Sequence, residues 1–140
     1  MTQQEHILVC LSSSPANKTI IQAAARMAEA FKGEFTALYV ETSQSQRMDE
    51  EDRSRLRSHV RLAKKLGAKI ETTCGDDIAF QISEFARLSG ITKIVIGRSV
   101  TERSHFWGKQ PLTEQLIANA PNMDIYIICL LYTSPSPRDK

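Results

Sequence analysis

Cysteine is scarce in this chain and follows no pattern. Cys10, Cys74 and Cys129 are an odd set of three with no CxxC pair, so no disulfide framework is spelled out. The expectation is reduced core thiols in a cytosolic protein. No cluster of histidine, cysteine or carboxylate has metal-ligand spacing, and the phosphate-binding patterns GxxxxGK[ST] and GxGxxG are both missing. An excess of one charge is lacking too. The formal net charge is +2, too small for bulk attraction to nucleic acid or a membrane surface. Long apolar runs are absent. The longest, from Ile125 to Tyr132, falls far short of the ~20 residues of a membrane helix. No apolar segment follows a basic N-terminal region, so no signal peptide is expected. The segment is expected to make no direct membrane contact and to bind no nucleic acid.

What is present is a globular composition, with 41% hydrophobic and 24% charged residues in 140. That is the size of one domain, able to bury about 68–70% of its unfolded surface. Apolar runs alternate with helical spacing. His6 to Leu11 reads as a strand buried on both faces. Asn17 to Phe31 has apolar residues at helical intervals, with Met27 and Phe31 in the core and Gly33 as the stop. Phe35 to Val40 is a second strand. A helix with Leu56, Val60, Ala63 and Leu66 on one face ends at Gly67. Its acidic start and basic finish suit the helix dipole, and its charges, with His59 among them, read as a solvated face.

Ala68 to Thr73 alternates, as an edge strand does. Asp76 or Asp77 can cap a third helix with Ile78, Ala79, Ile82, Phe85 and Ala86 inward. Lys93 to Gly97 is another buried strand. A basic loop spans residues 98–109, and Pro111 opens a fourth helix with Leu112, Leu116 and Ile117 inward. Ile125 to Leu130 is the last strand. The alternation predicts an α/β fold, a doubly wound five-stranded parallel sheet with two helices on each face. Residues 1–130 form the domain, and 131–140, with two Ser-Pro steps and no periodicity, read as a disordered and non-native tail.

Ligands of such sheets bind beyond the carboxyl ends of the strands, where strand order reverses. Two loops there suit an anion. Ser12, Ser13 and Ser14 precede a helix N-terminus whose free N–H groups favour phosphate, although serines also serve as plain N-caps. The second runs from Arg98 and Ser99 through Arg103, His105 and Lys109, whose cations suit phosphate, with Phe106 or Trp107 as a stacking ring. The alternative is a solvated loop. No catalytic residue is assigned. His6 and Cys10 share a strand face but lie ~13 Å apart, too far for a nucleophile and its base.

Three stretches carry a resemblance: HILVCLSSSP at 6–15, AARMAEAFKGEFTALYVET at 24–42 and KIVIGRS at 93–99. With them the chain, from His6 to about Cys129, resembles the universal stress protein family. Within it the chain is similar to the version embedded in KdpD-type potassium-responsive sensor histidine kinases. The resemblance implies strand order 3-2-1-4-5 and a cytoplasmic regulatory fragment with kinase chemistry elsewhere in the parent. Some members bind cyclic di-AMP through Ser-x-Ser, twenty residues, then Phe-Thr-Ala-x-Tyr. Here Ser12 and Ser14 are followed by Phe35, Thr36, Ala37 and Tyr39 at that spacing.

The resemblance therefore implies a site of Ser12, Ser14, Phe35, Thr36, Ala37 and Tyr39. With strands one and two neighbours, the first loop is expected beside the start of the second strand. With strand four on the other side of strand one, Arg98 and Ser99 are expected to reach the same phosphate region. It implies no cofactor and no metal. ATP is disfavoured, because the G-x2-G-x9-G-[ST] stretch of ATP-binding members is broken at Val100 and at Gln110-Pro111. The partners implied are a nucleotide, the parent kinase's other domains, and a second copy joined through the apolar last strand. A free-standing ATP-binding stress protein and a ligand-free interaction domain are the alternatives.

Overall fold

The computed structural model describes residues 4–99 and 112–130, except the side chains of Arg98, Ser99 and Leu130. The basic loop beyond Ser99, Pro111 and the tail lie outside these residues. In chain order the elements are β1 (His6–Cys10), α1 (Asn17–Phe31), β2 (Glu34–Glu41), a 3-10 turn (Ser45–Arg47), α2 (Glu50–Lys65), β3 (Lys69–Cys74), α3 (Ile78–Leu88), β4 (Lys93–Ser99), α4 (Leu112–Asn119) and β5 (Asp124–Leu130). The five strands form one sheet in the order β3-β2-β1-β4-β5, and every pair is parallel. The expected fold is the observed one.

Alternation along the strands builds two cores. Ile7, Val9, Phe35, Ala37 and Val95 meet Ile20, Ile21, Ala24 and Ala28 of α1 and Ala63 of α2. On the other face Leu8, Leu38, Val40, Ile94 and Ile96 meet Ile82 and Ala86 of α3 and Leu116 of α4. The inner strands β1, β2 and β4 are covered on both sides, which is why their sequences run largely apolar, whereas the edge strand β3 alternates.

Several local expectations are corrected. Phe31 is 45% exposed at the end of α1, where its ring centroid stands 4.8 Å from Lys93 Nζ. The left-handed residue closing α1 is Lys32 (φ 53°), not Gly33. Gly33 is needed because a Cβ there would strike the Glu5 carbonyl oxygen. Ile78 and Ile117 are exposed, because α3 and α4 each lay only a narrow stripe on the sheet. Cys74 and Cys129 are exposed and only Cys10 is withdrawn; all three are free. Cys74 ends the edge strand β3 and Cys129 lies on the edge strand β5, where cover is thinnest. Asp77 caps α3 by accepting the Phe80 N–H, whereas Asp76 accepts the Ser43 N–H and hydroxyl.

Candidate functional site

The carboxyl ends of β1, β2 and β4 open into a cleft of about 570 Å3. Strand order reverses between β1 and β4, so this is the switch point at which doubly wound sheets hold ligands. Ser12, Ser13, Ser14 and Asn17 line one side, Tyr39, Thr42 and Gln44 another, with Ile82, Ile96, Gly97 and Leu112 opposite. No charged side chain lines it among the described residues.

The sequence left open whether Ser12 and Ser14 merely cap α1. They do not cap it in the usual way, since its N-cap is Ala16 with no side-chain bond. Ser12 Oγ instead accepts the Ser14 N–H at 3.2 Å, and Ser14 Oγ accepts the Ala16 N–H at 3.3 Å. Both hydroxyls are thus engaged as acceptors, which leaves their protons to donate. The N–H groups of Ser13 and Lys18 likewise lack a protein acceptor among the described residues. The dipole of α1 adds partial positive charge at the same place.

Asn17 organises this loop from within. It is buried, its Oδ1 accepts the Ser12 N–H at 3.1 Å and its Nδ2 donates to the Cys10 carbonyl at 3.0 Å. Two residues of α2 reach across as well. His59 Nδ1 lies 2.8 Å from the Ser12 carbonyl and Arg55 donates to the Ser13 carbonyl at 3.1 Å. His59 is 5% exposed, so its reading as part of a solvated face is corrected. Asn17, Arg55 and His59 carried no signal of this role except that a histidine lay among the apolar positions of α2.

The residues singled out in the sequence divide in two. Ser12, Ser14 and Tyr39 line the cleft. Phe35, Thr36 and Ala37 do not. Parallel register sets Phe35 beside Ile7, Thr36 beside Leu8 and Ala37 beside Val9, so the start of β2 lies roughly 15 Å from the first loop. Phe35 and Ala37 are packed in the core, and Thr36 Oγ1 is 2.8 Å from His6 Nε2. The expected closeness of that loop to the start of β2 is therefore corrected; it holds for the strand's far end. Arg98 and Ser99 end β4, paired with Cys129 and Leu130, and their side chains lie outside the described residues, as do Arg103, His105, Phe106, Trp107 and Lys109.

Fold and cleft together define a universal-stress-protein-like α/β domain. The universal stress protein UspA from Lactobacillus plantarum superposes with a TM-score of 0.62 at 22% identity, covering 91% of this chain and 99% of that one. A universal stress protein in complex with cAMP superposes with a TM-score of 0.67 at 14% identity, covering 91% and 98%. No protein-family model matches the chain. The sensor protein KdpD of Clostridium acetobutylicum is 34% identical over 131 residues, 91% of this chain and 14% of that protein. The chain belongs to the universal-stress-protein domains of KdpD sensor proteins. The chain thus spans only about 14% of the Clostridium acetobutylicum protein's length. No helix among the described residues is long and apolar enough to cross a membrane.

Proposed function

We propose that this chain is the cytoplasmic nucleotide-sensing module of a KdpD-type sensor histidine kinase controlling potassium uptake, that cyclic di-AMP is its ligand, and that catalysis resides elsewhere in the parent. The observation that carries this reading is the convergence of two half-engaged serine hydroxyls, Ser12 and Ser14, with Tyr39 at one cleft on a helix N-terminus. The hydroxyls and free N–H groups receive a phosphate. The apolar wall of Leu38, Val40, Ile82 and Ile96 receives a base. The neighbouring structure in complex with cAMP supports a cyclic adenine nucleotide in this fold.

In this reading Ser12, Ser14 and Tyr39 touch the ligand, while Phe35, Thr36 and Ala37 set the β2 backbone beneath it. Arg98 and Ser99 supply the charge and the hydroxyl that the described wall lacks. A charge-assisted bond from Arg98 contributes about 1.5–3 kcal/mol. The second copy, or a neighbouring domain of the parent, covers β5.

Calorimetry with cyclic di-AMP and ATP on the wild type, Ser14→Ala and Arg98→Ala tests the reading. Cyclic di-AMP is expected to bind and both variants to weaken it. Tight ATP binding without heat from cyclic di-AMP would overturn the ligand, and two variants that bind like the wild type would overturn the site.

A further inference from the structure

The serine loop is held from behind by a different helix. Of the sixteen residues of α2 only His59 and Ala63 are buried, and the imidazole of His59 is engaged on the loop. Its Nδ1 meets the Ser12 carbonyl at 2.8 Å. A carbonyl only accepts, so Nδ1 carries the proton. One turn earlier, Arg55 donates to the Ser13 carbonyl. The same guanidinium is bound to Asp52 at 2.9 Å and to Glu51 at 3.4 Å. Its charge is already paired, and what it gives the loop is direction.

Peptide geometry sets the consequence. In a trans peptide the C=O of one residue and the N–H of the next point to opposite sides. Fixing the Ser12 carbonyl toward His59 turns the Ser13 N–H away from the ring, where it has no protein acceptor among the described residues. Fixing the Ser13 carbonyl toward Arg55 turns the Ser14 N–H onto Ser12 Oγ, which leaves the Ser12 hydroxyl proton to donate. A flip of either peptide would present a carbonyl oxygen in place of an N–H.

We infer that Arg55 and His59 are positioning residues of the nucleotide site, locking the 12–13 and 13–14 peptides so that donors rather than carbonyls face a bound phosphate. This rests on the reading of the cleft as the ligand site. It also makes α2 the element whose position is coupled to occupancy of the serine loop.

Two measurements on the 140-residue chain test it, using His59→Leu, His59→Asn, Arg55→Met and Arg55→Lys. Without ligand, amide hydrogen exchange at Ser14 and Ala16 is expected to quicken about tenfold in His59→Leu and Arg55→Met, while Leu8 and Val9 of β1 keep their protection. With cyclic di-AMP as probe, the same two variants are expected to bind about tenfold more weakly. Asparagine, whose side-chain N–H stands near the place of Nδ1, restores His59→Leu to within about threefold, and Arg55→Lys restores only part of the loss, having no fork. Unchanged exchange and affinity in Arg55→Met, or His59→Asn as damaging as His59→Leu, would overturn the inference. A wild type that takes up no cyclic di-AMP overturns the ligand reading alone, and the exchange rates then decide whether α2 locks the loop.

Discussion

Asn17 and Cys10 are joined by a bond from the Asn17 amide to the Cys10 carbonyl at 3.0 Å, which ties the first turn of α1 back to the last residue of β1. The same side chain accepts the Ser12 N–H, so one buried amide closes the whole strand-to-helix connection. Replacing Asn17 by Ala leaves a buried donor and acceptor unmatched. The expected loss is about 1–3 kcal/mol, read as a lower urea midpoint at unchanged slope. A midpoint equal to the wild type would show that water replaces both bonds.

Cysteine reactivity is expected to follow burial and charge. Desolvation pushes the Cys10 thiol up to about 12, so its thiolate near neutral pH is about a thousandfold scarcer than that of an ordinary cysteine. Cys74 is exposed, but its hydrogen bond to Glu41 raises it, with desolvation and the Glu41 charge adding to that. Timed alkylation read by mass spectrometry should modify Cys129 first, Cys74 later and Cys10 last. Labelling of native Cys10 as fast as Cys129 would contradict this.

Stability should fall at both ends of the pH scale through one cluster at the amino ends of the strands. Lys93 Nζ sits 3.2 Å from Glu5 and 3.1 Å from Asp124. Burial works to lower its pKa, yet the bonds to Asp124 and Glu5 outweigh this and hold it above its ordinary 10.5. Stability from a raised group is present below the unfolded pKa and is lost as pH rises through the folded one, hence on the alkaline side. Glu5 is held below its ordinary 4.5, chiefly by the Thr92 hydroxyl and then by Lys93. Its contribution is present above 4.5 and is lost as pH falls through the depressed value. Urea unfolding along both limbs should show Lys93→Met flattening the alkaline one and Thr92→Val flattening the acid one. Limbs of unchanged slope in both variants would refute the assignment.

The last strand should make the domain self-associate. β5 is bonded on one side to β4, and among the described residues no strand lies on its other side. Tyr126 is 36% exposed there. Sedimentation across a concentration series should show a dimer that Tyr126→Lys weakens, because a charge on an edge strand discourages pairing. A wild type monomeric throughout would leave β5 to be covered by the parent chain instead.

The parallel sheet and the position of the cleft were legible in the residue pattern, while the strand order came from the family resemblance. Apolar runs such as His6 to Leu11 and Lys93 to Gly97 have the pattern of strands buried on both faces, and glycines and helical spacing mark the links between them. Helix faces were legible to within a residue or two, and Ile78, Ile117 and Phe31 slipped because periodicity shows which side is apolar but not how wide a stripe the sheet covers.

For the site, the sequence by itself determined that Ser12 and Ser14 stand at the head of α1 and that Phe35, Ala37 and Tyr39 share one side of β2, since both follow from local spacing. Tertiary structure decided which of them meet. Parallel register sends Phe35 and Ala37 to the buried middle of the sheet and leaves Tyr39 at its upper rim. It also decided that Arg55 and His59, more than forty residues along the chain, hold the serine carbonyls. A hydrogen bond between a side chain and a distant backbone oxygen leaves no periodicity or motif in the sequence, because any residue supplies a carbonyl and only the packing of α2 against α1 brings the donor within reach.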